Sequence, residues 1–135
     1  MVDLSEKFAL VLGGTGGIGR AVIDSLLSSG LKGLGVIDIV KEEVARECLE
    51  SLPSWISGTK LAYRQASVDN EQALGLAMKG VKHELGGLHL IINAAGILND
   101  KDPKMSLLIN YVSPITLILI NIQLKIFKFC PDHWD

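Results

Sequence analysis

A chain of 135 residues, 48% of them hydrophobic, is long enough for one domain with a buried core. Its formal net charge of −2 argues against a nucleic-acid-binding surface. The two cysteines are too few for a disulfide framework, and the opening residues lack the apolar run of a secretory signal, so we expect a reduced, cytoplasmic protein.

Apolar runs typical of strands alternate with helical patterns along the chain. Strands are predicted at 7–13, 33–39, 60–68 and 88–96. Helices are predicted at 18–30, 41–52 and 70–85, and a fourth from Asp102–Pro103. Gly30 suits the end of the first helix, and Asp69 with Gln72 resembles a capping box at the start of the third. The residues predicted to face the core are Ile18, Val22, Ile23, Leu26 and Leu27 of the first helix, Val44, Ala45, Cys48, Leu49 and Leu52 of the second, and Leu74, Ala77, Met78, Val81 and Leu85 of the third.

Strands that are apolar throughout and alternate with helices indicate a parallel sheet covered by helices on both faces. Right-handed crossovers then place the strands in the order 3-2-1-4. The sequence therefore predicts an α/β, Rossmann-like fold. From Ile120 to Ile126, apolar and polar residues alternate as in a strand. A helical stripe fits the same segment, through Ile115, Ile118, Ile122 and Ile126. Polar and charged residues interrupt this segment too often for a membrane span.

The turn after the first strand, VLGGTGGIGRAV, holds five glycines in seven residues. Bare backbone followed by the positive end of a helix suits a bound phosphate. A P-loop is disfavoured, because Arg20 and Ala21 stand where that motif needs lysine and a hydroxyl residue.

Two other glycine spacings fit this turn. The dinucleotide fingerprint G-x-G-x-x-G fits Gly14, Gly16 and Gly19. The spacing G-x-x-x-G-x-G fits Gly13, Gly17 and Gly19. The turn alone does not separate the two, and a glycine-rich turn without a ligand is the remaining alternative.

Asp38 ends the second predicted strand, about 20 residues beyond the turn, where the dinucleotide fingerprint has an acidic residue. A carboxylate there accepts hydrogen bonds from ribose hydroxyls and repels a 2′-phosphate, which favours NAD over NADP. Capping of the following helix is an alternative role for Asp38, and the two roles can coexist.

The segment INAAGIL resembles the short-chain dehydrogenase/reductase family, which has Asn-Asn-Ala-Gly or a close variant after the fourth strand; here Ile92 replaces the first asparagine. The resemblance covers residues of about 5 to 120. Within the family, NAAGILND and LINYVSPI are similar to two groups, the insect-type alcohol dehydrogenases and the NAD-dependent 15-hydroxyprostaglandin dehydrogenases. The resemblance selects the G-x-x-x-G-x-G spacing and implies that Asp69 contacts the adenine and that Asn110 belongs to a catalytic relay. Pro114, four residues after Asn110, has no N–H, so the Asn110 carbonyl lacks its helical donor. An ordinary proline kink is the alternative interpretation of this position.

The resemblance implies NAD as the cofactor and residues 1–119 as the NAD-binding half-domain, followed by a divergent tail at 120–135. No metal site is expected. The implied NAD-binding residues are Gly13, Thr15, Gly16, Gly17, Ile18, Gly19, Asp38, Ile39, Asp69, Asn93, Ala94, Ala95 and Gly96.

The family's chemistry also needs a serine and a Tyr-x-x-x-Lys pair beyond the fourth helix. The two tyrosines, Tyr63 and Tyr111, are followed four residues on by Ser67 and Ile115. We therefore expect a C-terminally truncated NAD-dependent alcohol oxidoreductase without turnover of its own. The alternative is a non-catalytic nucleotide-binding or pairing module. The complete family acts on a small-molecule alcohol or hydroxy-lipid. Neither a nucleic-acid nor a membrane partner is expected, whereas a homo-oligomer or pairing with a full-length relative is possible.

Overall fold

The computed structural model describes residues 3–96. Strands and helices alternate throughout these residues. The elements are β1 (Phe8–Leu12), α1 (Gly17–Ser28), β2 (Gly33–Asp38), α2 (Glu42–Glu50), β3 (Lys60–Gln65), α3 (Glu71–Leu85) and β4 (Leu90–Asn93). Each predicted element up to the fourth strand is present, with β3 and β4 shorter than their apolar runs.

The strands form one parallel sheet in the order β3-β2-β1-β4, which confirms the predicted order. Because side chains alternate across a strand, β1 contributes to both faces. Leu10 and Leu12 pack on the α3 side, with Leu74, Met78 and Val81 of that helix.

The opposite face of the sheet is covered by α1 and α2. Ala9 and Val11 of β1 pack there with Ile23 of α1 and with Ala45 and Leu49 of α2. All five are fully buried. The sheet is therefore covered by helices on both faces, as the apolar strands predicted.

The first residue of β1 is hydrogen-bonded to the residue before β4. The backbone N–H of Phe8 donates to Nδ1 of His89 over 3.0 Å, and the backbone N–H of His89 donates to the Phe8 carbonyl over 2.9 Å. The two rings stack with their centroids 5.7 Å apart. This join brings together residues 81 positions apart in the chain.

Helix details differ from the sequence-based expectations at three places. Ile18 is 73% exposed and Val44 is 54% exposed, so neither faces the core. Ile18 lies in the first turn of α1, beyond the end of β1, and Val44 lies beside the stripe that meets the sheet.

The cap of α3 is Asn70, whose side chain accepts from the Ala73 N–H over 3.0 Å, so the capping role predicted for Asp69 is wrong. Gly30 has φ +84° just after α1, as its predicted place at the helix end requires.

The predicted fourth helix with Asn110, and the tail at 120–135, lie outside the described residues.

Candidate functional site

A cleft of about 280 Å³ lies at the carboxyl ends of the strands. It is bordered by the glycine turn after β1 and by the segments that follow β2, β3 and β4. Ligands of open parallel sheets bind at this edge, where the strand order reverses direction. The lining residues are Gly13, Thr15, Gly16, Ile37, Asp38, Ile39, Val40, Ala66, Ser67, Val68, Ala94, Ala95 and Gly96.

Three glycines of the turn are required by close packing. Gly13 has φ +71°, and a Cβ there would lie 2.8 Å from the backbone of Ala95. A Cβ on Gly14 would meet Val36 at 2.7 Å, and a Cβ on Gly19 would run into the Gly13 carbonyl. The glycines that leave no room for a Cβ therefore include members of both glycine motifs, G-x-G-x-x-G and G-x-x-x-G-x-G.

The other two glycines leave the backbone open. A Cβ on Gly17 would have no described heavy atom within 4 Å, and one on Gly16 would meet only the Gly13 carbonyl, at 3.5 Å. Gly16 is also the N-cap of α1, where no described side chain caps the helix and the first turn holds no acidic residue. The free N–H groups and positive dipole end of such a helix suit an anion.

The carboxylate of Asp38 closes the other side of the turn. Its Oδ2 accepts from the N–H of Thr15 at 3.0 Å and from the Thr15 hydroxyl at 2.6 Å, while Oδ1 accepts from the N–H of Ile39 at 2.7 Å. The N-cap of α2 is Lys41, so the alternative that Asp38 caps this helix is wrong. The acidic group instead links the glycine turn to the end of β2.

Two side chains of β3 donate hydrogen bonds to the backbone of residues 38–40, the segment that ends β2 and follows it. The Tyr63 side chain, 3% exposed, places its hydroxyl 2.5 Å from the Val40 carbonyl and 3.3 Å from the Asp38 carbonyl. The Gln65 amide donates to the Ile39 carbonyl at 3.0 Å. Neither side chain was predicted from the sequence to belong to the site. The sequence places Tyr63 in the strand next to the one that ends in Asp38, but its contact depends on the register of the two strands.

Burial, reinforced by the negative charges of Asp38 and Glu42, raises the pKa of Tyr63 from 10.0 to about 12. Between these two values the unfolded chain releases the proton and the folded chain keeps it, so the stabilisation is complete below pH 10 and is lost as the pH rises through 12. We expect the wild-type chain to lose about 2–3 kcal/mol more than Tyr63→Phe between pH 9 and pH 12. Urea unfolding at a series of pH values measures this, and equal losses in the two proteins would contradict it.

Of the sequence-predicted cofactor residues, eight line the cleft: Gly13, Thr15, Gly16, Asp38, Ile39, Ala94, Ala95 and Gly96. The five that do not line it are Gly17, Ile18, Gly19, Asp69 and Asn93. Two of these five residues form hydrogen bonds to residues that line the cleft. Asp69 accepts from the Ser67 hydroxyl, and Asn93 Oδ1 accepts from the Ala95 N–H at 3.1 Å. Sequence reasoning missed Ile37, Val40, Ala66, Ser67 and Val68, apolar or small residues without a motif.

Two other kinds of site have no candidate in the part of the chain that the structure describes. Residues 3–96 bring together no group of three or more His, Cys, Asp or Glu side chains that could hold a metal ion. Within the same range, no helix has the length and apolar character needed to cross a membrane.

The family model for short chain dehydrogenases matches residues 7–123. Human 15-hydroxyprostaglandin dehydrogenase [NAD(+)] is 34% identical over 115 residues, which cover 85% of this chain and 42% of the human protein. Dehydrogenase/reductase SDR family member 11 from Bos taurus is 35% identical over 94 residues, or 68% of this chain and 35% of the bovine protein. The chain thus spans less than half the length of these relatives.

Solved structures share the fold. A short-chain dehydrogenase/reductase from Burkholderia phymatum, in complex with NAD, aligns with a TM-score of 0.75 at 19% identity, over 91% of this chain and 45% of that one. A short-chain type dehydrogenase/reductase from Mycobacterium ulcerans aligns with a TM-score of 0.76, also at 19% identity, over 90% of this chain and 47% of that one.

Proposed function

The chain belongs to the short-chain dehydrogenase family, and on this premise we propose that its cleft binds the adenosine diphosphate part of NAD. The observation that carries the proposal is the pairing of a carboxylate with an uncapped helix start across one turn. Asp38 faces the cleft at the end of β2, and α1 begins at the other side of Thr15. Dinucleotide-binding folds place the pyrophosphate at such a helix start and the ribose hydroxyls on such a carboxylate.

The residues present fit that group. Gly16 and Gly17 leave room where a phosphate would approach the start of α1, since side chains there would project into open space. Asp38 would accept hydrogen bonds from the ribose hydroxyls, and Ile39 and Val40 would cover the adenine with apolar surface. When bound, NAD supplies a hydride acceptor. The described residues bind and orient the adenosine end of the cofactor.

The activity of the whole protein is part of the same proposal. One relative is by name an NAD(+)-dependent dehydrogenase of a 15-hydroxyprostaglandin. We therefore infer oxidation of a secondary alcohol, with a hydroxy-lipid as the substrate class, for the protein in which this NAD-binding unit works. Asn110 would serve in its proton relay.

Calorimetric titration of the 135-residue chain tests the cofactor proposal. We expect NAD to bind more tightly than NADP, because Asp38 repels the additional phosphate at the ribose 2′ position. Asp38→Ala should reduce the ratio of NAD affinity to NADP affinity by about tenfold or more, since like charges placed together cost several kcal/mol. Ser28→Ala, which removes an exposed hydroxyl at the far end of α1, is the control and should leave the preference unchanged. Tighter binding of NADP to the wild-type chain, or no binding of either dinucleotide, would overturn the proposal.

A further inference from the structure

The carbonyls of the last residue of β2 and of the two residues after it, residues 38–40, all accept hydrogen bonds from β3 or the residue after it. The Asp38 carbonyl accepts from the Ala66 N–H at 2.9 Å and lies 3.3 Å from the Tyr63 hydroxyl. The Gln65 amide and the Tyr63 hydroxyl serve the next two carbonyls, at 3.0 and 2.5 Å. The backbone oxygens of this segment therefore turn toward β3, while its residues line the cleft.

Of the two side-chain donors, the Tyr63 hydroxyl is harder for water to replace than the Gln65 amide, because its hydrogen bonds are partly buried. Tyr63 is 3% exposed, whereas Gln65 is exposed. A buried carbonyl that loses its donor bears the full cost of desolvation, but an exposed one is rehydrated. The hydroxyl has one proton, which goes to the Val40 carbonyl at 2.5 Å, and its oxygen lies 3.3 Å from the Asp38 carbonyl. Tyr63 therefore anchors the last residue of the segment and contacts the first.

One peptide unit transmits this restraint to the carboxylate of Asp38. The unit that joins Asp38 to Ile39 is planar and trans, so its C=O and N–H point in opposite directions. Its carbonyl lies near the Tyr63 hydroxyl and accepts from Ala66, and its N–H donates to Oδ1 of the Asp38 carboxylate at 2.7 Å. The Ala66 N–H fixes this carbonyl, and the Tyr63 hydroxyl fixes the Val40 carbonyl two residues on, so the two bonds together set the N–H that orients the carboxylate.

We propose that Tyr63 is a positioning residue for cofactor recognition, which sets the Asp38 carboxylate toward the ribose hydroxyls through the peptide unit between Asp38 and Ile39. This role rests on the proposed function of the cleft. Tyr63 does not itself line the cleft. Its contribution should appear where Asp38 acts, at the ribose hydroxyls, and should be smaller for a nucleotide that lacks the hydroxyl at the 2′ position.

The test uses the full chain with AMP and 2′-deoxy-AMP as probes. The wild type should bind AMP more tightly. Tyr63→Phe keeps the buried ring and removes only the hydroxyl. It should weaken AMP binding about fivefold, the size of one neutral hydrogen bond, and should weaken binding of 2′-deoxy-AMP, which keeps its 3′-hydroxyl, by less. Asp38→Asn should reduce the same ratio. Gln65→Leu should reduce it less than Tyr63→Phe, because water can serve the exposed carbonyl.

Val81→Ala is the control for a merely structural effect. Val81 is fully buried on the α3 side of the sheet, so its truncation lowers stability without touching the segment after β2, and it should leave the AMP ratio intact. An unchanged ratio in Tyr63→Phe, or a larger effect of Gln65→Leu, would overturn the positioning role while leaving the cofactor proposal standing. A wild type that binds neither nucleotide would instead refute the cofactor proposal.

Hydrogen exchange decides the positioning role independently of any ligand. In Tyr63→Phe the amide of Ile39 should exchange at least several-fold faster, because the peptide unit has lost one of its restraints. The comparison uses a peptide that covers residues 36–41, with a peptide of α3 as the internal reference. Equal exchange in the wild type and the variant would overturn the proposal even if the nucleotides do not bind.

Discussion

Gly19→Ala is expected to destabilise the chain by about 1–3 kcal/mol and to abolish dinucleotide binding. The atoms that a new Cβ would meet belong to the backbone: the Gly13 carbonyl oxygen, the Cα of Gly14 at 2.7 Å and the Gly13 carbonyl carbon at 2.9 Å. Backbone atoms cannot swing aside as the end of a side chain can. The turn would therefore have to move away from α1, and it would carry Thr15 away from Asp38.

Gly17→Ala is the matched control, since both residues lie in α1. Helix propensity alone predicts that either substitution stabilises the helix, by up to about 1 kcal/mol. Only Gly19 has a steric conflict, so the two variants should shift in opposite directions in urea unfolding followed by circular dichroism. Equal stability of Gly17→Ala and Gly19→Ala would show that the close approach of α1 to the turn is not rigid.

Gly35→Ala is the second substitution for which we expect a large effect. Gly35 lies in β2 beneath α3, and a Cβ there would overlap Cγ1 of Val81 and come within 3.3 Å of Leu10. Val81 is β-branched and fully buried, so it has little freedom to adjust. We expect a loss of about 1–3 kcal/mol from overpacking.

A double-mutant cycle separates this conflict from other causes. Val81→Ala alone leaves a cavity and also destabilises the chain. In Gly35→Ala/Val81→Ala, the new methyl group occupies part of the space that the lost methyl groups vacate. The double variant should therefore be more stable than the sum of the single changes implies, by about 1–3 kcal/mol. Additive free energies of unfolding would contradict direct packing of α3 on Gly35.

The strands and their order could be predicted because the physical signals are local and periodic. Apolar runs such as Leu10–Leu12 are buried wherever they occur in a covered parallel sheet. The right-handedness of crossovers then determines the strand order. The sequence could not predict which glycines leave no room for a Cβ. Gly13, for example, is constrained by the backbone of Ala95, which is distant in sequence. Ile18 follows the helical stripe of α1, but its turn of the helix extends past the sheet.

The cap of α3 and the donor to the Asp38 segment were missed for different reasons. Asp69 and Asn70 are adjacent and both are good capping residues, so a pattern with a tolerance of one position cannot separate them. Tyr63 serves carbonyls 23 and 25 residues away. No spacing rule predicts such a contact, since it depends on the register of β3 against β2, which pairs Tyr63 with Val36.

The join between Phe8 and His89 has a consequence for how the chain is made. β1 pairs with β2 on one side and with β4 on the other, and the partners of its first residue on the two sides are Gly33 and His89. Ribosomes add roughly 5–20 residues per second, so about 4–16 s separate the synthesis of Phe8 from that of His89. During that interval one edge of β1, an interior strand of the finished sheet, has no native partner to pair with. The emerging chain therefore carries its most apolar strand half paired until the last described strand leaves the ribosome, and this is the period when a chaperone would have most to shield.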